Sequence, residues 1–173
     1  MDPAGILVEN FGVALSQLNR YLALGLLTAI SALVLDRTPP GSPDSRTVTV
    51  QGVIVPMPPE AAKLLLLGIA FVAGALAYVA AEQAVAIAGR LRTMPDVLEA
   101  VCTYSSVATA PRGYRVFAIL LPLAFAAPIF VRMWTRIRAT DSAGGRGILV
   151  TAAFFGVPYV ALGIVMLRLP CSM

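Results

Sequence analysis

Glu82 and Gln83 stand side by side inside an otherwise apolar run, with Tyr78 four residues earlier. A carboxylate at membrane depth costs about 2.5–3.5 kcal/mol on insertion scales, so it turns toward protein or water. A spacing of four puts Tyr78 and Glu82 on one helix face, where the phenol can donate to the carboxylate. Two chemistries fit. Glu82, Gln83 and Tyr78 could line a pore or carry a proton, or Glu82 could be an interfacial acid paired with Arg115 or Arg132. Counted from residue 61, Glu82 lies about 32 Å along its helix, near the far boundary of a bilayer. That position favours the ion pair.

Catalytic chemistry finds little else to work with. The chain has no histidine, which removes the commonest metal ligand, general base and proton relay together. No HExxH, phosphate-binding loop or dinucleotide fingerprint is present. Cys102 and Cys171, the only two cysteines, are far apart and in no CxxC pattern. On spacing alone they indicate neither a metal site nor a redox pair. The expectation is therefore a protein that is not an enzyme and holds no cofactor or metal.

Three further patterns carry physical meaning. Ala70, Gly74, Ala77, Ala81, Ala84 and Ala88 recur at alternating spacings of four and three. Such a stripe of small side chains suits close helix packing in lipid, where dispersion and backbone approach drive association. It serves packing within the chain or an oligomer interface. Pro122 and Pro128 in one apolar run, and Pro158 in the next, should kink their helices and free backbone carbonyls. Arg132, Arg136 and Arg138 cluster around Trp134, as expected of contact with lipid headgroups or an acidic partner.

These residues are positioned by a chain of 173 residues that is 58% hydrophobic and only 13% charged, with a mean hydropathy of +0.84. Soluble domains carry about a quarter charged residues. The sequence thus predicts an all-α integral membrane protein, a four-transmembrane-helix bundle with a short β-strand or hairpin segment in the first loop. Residues 1–173 form a single membrane domain. Residues 1–19 are amphipathic, and spans are expected near 20–36, 61–90, 114–134 and 148–168. A retained anchor is favoured over a signal peptide for the first span, because no convincing cleavage site follows it. Residues 37–60 form a Pro-rich, strand-bearing loop, since closely spaced prolines exclude helix and 47–55 is rich in β-branched residues. Residues 95–107 suggest a short helix begun by Pro95, and 136–147 a basic, glycine-rich connection.

The net charge of +4 in such a chain points to anionic lipid rather than nucleic acid. Lys63 is expected to snorkel to the interface. Sidedness is ambiguous, because Arg and Lys divide almost equally between the two sets of loops. The strand-bearing first loop reads as exoplasmic, whereas the Arg-rich third loop argues for the reverse. Alanine and arginine usage suggests a bacterial inner membrane. The order of elements resembles, in general character only, bacterial four-helix membrane proteins that act as modules of larger systems. The function expected is a polytopic membrane protein that self-assembles or joins a protein partner subunit, with a pore as its more specific form. A small transporter with kinked helices is the alternative, and a membrane enzyme acting on lipid is a weaker one.

Overall fold

The structure, a computed structural model, describes residues 3–37, 48–50, 53–55, 58–103, 106–138 and 142–171. Its helices are α1 (Pro3–Arg37), α2 (Pro59–Leu91), α3 (Pro95–Cys102), α4 (Arg112–Arg138) and α5 (Ser142–Leu167). All but the short α3 are long and apolar enough to cross a membrane, the architecture of a multi-pass helix bundle.

Local sequence explains most of the boundaries. Pro59 and Glu60 occupy the first turn of α2, where a missing N–H and a negative charge are both favourable. Pro95 and Asp96 repeat the device in α3, which ends at Cys102 rather than extending to residue 107. The amphipathic opening segment is continuous with the first span, so α1 runs 35 residues, or about 52 Å. The Gly-rich stretch expected as a connection belongs to α5, which begins at Ser142. α4 continues through Pro122 and Pro128, and α5 through Pro158.

Of the Pro-rich loop over 37–60, residues 38–47, 51–52 and 56–57 lie outside the described residues. Val48–Val50 and Val53–Val55 pair antiparallel, with Val48 opposite Val55 and Val50 opposite Val53.

α1 and α2 lie antiparallel and make the most extensive contact in the molecule. Ala70, Ala77, Ala81, Ala84 and Ala88 are all fully buried, and Gly74 is buried with them. The facing residues of α1 change character along its length. Phe11, Leu15, Leu18 and Leu22 fill the half nearer the α2 C-terminus, whereas Gly25, Ala29 and Ala32 line the other half. Small residues thus meet small residues only in the inner half, where α5 joins the pair. Outward faces carry Leu27, Val72, Val79, Val150, Val157 and Val160, each roughly half exposed or more. In a bilayer that apolar surface is solvated by lipid tails rather than water.

Candidate functional site

Polar side chains gather at two levels of the bundle. Asn19, Glu82 and Arg115 mark one, and Asp36, Lys63 and Arg132 the other. On α1, α2 and α4 these pairs are 17, 19 and 17 residues apart, about 26–28 Å of helix, close to the ~30 Å of a hydrocarbon core. Beyond the first level, the starts of α1 and the end of α2 continue and pack with α3. There Phe11, Leu18, Leu91 and Val101 are buried in one cluster.

At the Asp36 level the network is ionic. Lys63 donates from Nζ to Asp36 Oδ1 at 3.1 Å and pairs with Glu60 at 2.8 Å. Arg132 donates to Asp36 Oδ2 at 2.9 Å and to the Asp36 carbonyl at 3.4 Å. Arg136 reaches Glu60 at 3.5 Å. The Asp36 and Lys63 side chains are only 1% and 4% exposed, so Lys63 turns inward to an acid instead of snorkelling. Asp36 sits in the last turn of α1, where the helix dipole disfavours a negative charge. Two cations, one on each carboxylate oxygen, offset that. Folding α1 back on α2 through the first loop brings residues 36 and 63 to one level, a signal already available in the sequence.

At the Arg115 level the residue is 2% exposed and its guanidinium bonds go to backbone carbonyls. It donates from Nε to Ala110 at 2.6 Å, from Nη1 to Met166 at 3.2 Å and from Nη2 to Cys171. Met166 lies in the last turn of α5, where carbonyls lack helical partners and a cation is favoured. A disulfide between Cys102 and Cys171 fastens the segment after α5 to α3. That corrects the reading from spacing, because a chain separation of 69 residues doubles back through two antiparallel helices. Asn19 Oδ1 accepts from the Ser106 hydroxyl and the Val107 N–H, both at 3.2 Å, tying α1 to the same connection.

Between the levels, Tyr159 supplies the interior. Its hydroxyl donates to the Ala70 carbonyl at 2.6 Å, satisfying a phenol that has no water at that depth. A Cβ at Gly74 would meet its ring at 2.8 Å, and one at Gly25 would meet its Oη at 2.6 Å. Glycine is therefore required at both positions by the ring that packs on them. Phe155 and Phe130 continue the aromatic row, with centroids 5.8 and 5.5 Å apart in sequence along it.

The residues singled out from the sequence divide as follows. Tyr78 donates to Glu82 at 3.2 Å, while Arg115 and Arg132, the arginines expected to pair with Glu82, are held by carbonyls and by Asp36. Gln83 lines a groove of about 440 Å³ between α1 and α2, together with Asn10, Gln17 and Arg90. The small-residue stripe is enclosed within the chain. Pro122 and Pro158 are buried and Pro128 half-buried. Arg132 and Arg136 are in the ionic network, and the Arg138 side chain lies outside the described residues. An apolar groove of about 350 Å³ between α4 and α5 runs from Leu123 to Trp134. Sequence reasoning gave Arg115 a different partner, left the shared level of Asp36 and Lys63 unused, and missed Tyr159 and Gly25, because a lone residue in an apolar run carries no pattern until its partner helix is known.

Comparison with known proteins finds no matching family model, no similar curated protein and no similar solved structure. The chemistry of the sites therefore stands on the geometry alone. Among the described residues, each buried charge is neutralised or capped by the protein's own groups, which makes these sites suited to fixing helix positions.

Proposed function

We propose that the chain is a non-enzymatic membrane module that acts through its surfaces, assembling with copies of itself or with a partner subunit. The observation carrying this reading is the filled interior. Tyr159, Gly25, Gly74 and the alanine stripe occupy the middle of the bundle, and the buried ions at either end are bound to one another or to carbonyls. A side-chain-filled bundle offers its outer faces to others, so a pore would have to form between chains rather than through one. With the stripe enclosed, an assembly would use the exposed faces of α4 and α5 or the extension formed by α1, α2 and α3. We further read the first loop as a short β-hairpin built on the paired valine segments, and place the protein in a bacterial inner membrane.

The mass of the purified chain in mild detergent, with solute flux into liposomes at matched densities, tests the proposal. A discrete homo-oligomer or a stoichiometric partner is expected, and any flux should vanish as the chain is diluted to monomers. Flux that persists for the monomer would overturn it in favour of a transporter. Lipid turnover by the purified protein would overturn it in favour of an enzyme.

A further inference from the structure

We infer that the end of the molecule carrying the Cys102–Cys171 disulfide faces the oxidising, exoplasmic side of the membrane, and that the first and third loops face the cytoplasm. The inference rests on the chain crossing a membrane and is independent of its assembly. Two spans, α4 and α5, separate the cysteines, so both sulfurs emerge on the same side. Disulfides persist in exoplasmic compartments and are rare in the reducing cytosol. The pairing has support besides the sulfur bond itself. Arg115 binds the carbonyls of both Met166 and Cys171, so non-covalent contacts already place the segment after α5 beside the connection from α2 to α4.

Counting cations could not decide sidedness, and the structure explains why. Seven of the thirteen Lys and Arg belong to the first-loop end and six to the other, close to parity. Arg115 is buried on carbonyls, and Arg90 and Arg92 stand about 12–15 Å beyond the Glu82 level along α2. Arg20, Arg112 and Arg168 are exposed beside the spans at this end, as Arg37, Arg132 and Arg136 are at the other. Among the described residues the accessible cations thus divide evenly between the two ends, and the disulfide carries the assignment. The strand-bearing first loop is cytoplasmic, opposite to its reading from residue type.

Thiol labelling of the full chain in intact expressing cells tests this, using a membrane-impermeant maleimide polymer with and without an impermeant phosphine reductant. Without reductant the native cysteines should resist labelling even after denaturation. Thiols introduced singly by Gly144→Cys at the start of α5 and Ser45→Cys in the first loop should label only once the membrane is opened. Two positions are used so that one misfolded variant does not leave the matter open. Labelling of either introduced thiol in intact cells would overturn the assignment. So would finding the native cysteines as free thiols in freshly denatured protein.

Discussion

Two arginines of α4, 17 residues apart, each cap the C-terminus of a neighbouring helix, but in different company. Arg132 caps α1 through the Asp36 carbonyl and shares the Asp36 carboxylate with Lys63. Arg115 caps α5 through Met166 with carbonyl partners, beside a covalent cross-link. The first arrangement depends on charge balance and is vulnerable to loss of one carboxylate. The second spreads a positive charge over several neutral dipoles, so no single partner is indispensable. The lesson is that a buried cation at a bundle end can be held by one strong anion or by several weak acceptors. The two solutions should fail differently.

The largest expected effect lies at the ionic end. Asp36→Ala leaves Lys63 buried with only the exposed Glu60, and should cost about 3–5 kcal/mol, as for other broken buried pairs. Unfolding by sodium dodecyl sulfate titration in mixed micelles would measure it. Adding Lys63→Met should recover part of the loss, because Arg132 is 48% exposed and can turn to solvent. No recovery would mean that Asp36 acts chiefly through Arg132.

A smaller effect is expected at the carbonyl end. Arg115→Met removes charge-assisted bonds of a kind worth about 1.5–3 kcal/mol, yet the disulfide keeps the segment in place. The net loss should be about 2 kcal/mol with the disulfide intact and should grow when it is reduced, in the same titration. Equal losses in both redox states would show that the disulfide and the guanidinium act independently.

The smallest effects belong to the packed middle and separate a polar clash from a steric one. Gly25→Ala and Gly74→Ala should each cost about 1–3 kcal/mol by overpacking, and Tyr159→Phe about 1 kcal/mol through its lost hydrogen bond. Combining Tyr159→Phe with Gly25→Ala should cost less than the sum. The atom met at 2.6 Å is the hydroxyl, and the ring carbon behind it is at 3.7 Å. The same combination with Gly74→Ala should show no such relief, since the ring carbons themselves are at 2.8 Å. Thermal unfolding of the double-mutant cycles would separate the two cases.

Much of the architecture was legible beforehand for a definite reason. A bilayer demands long apolar helices with satisfied backbones, so residues 61–90 and 114–134 announce themselves by hydropathy. The helix start at Pro95 follows from local chemistry, whereas α2 begins at Pro59, two residues before the expected span. The pairing of Tyr78 with Glu82 is also local, being one turn of a single helix. Glu82 and Arg115 were a different matter, because an acid and an arginine at similar depths need not share a side of the bundle.

The sequence by itself determined the class of protein, the number of apolar helices and the positions of the small residues, because these depend on composition and on period along one helix. Only the tertiary structure decided what the small residues pack against, which acid holds Lys63, and that Cys102 meets Cys171. Those outcomes depend on rotation and relative depth of neighbouring helices. In lipid these are set by side-chain fit and a few polar contacts between helices, and no single segment contains that information.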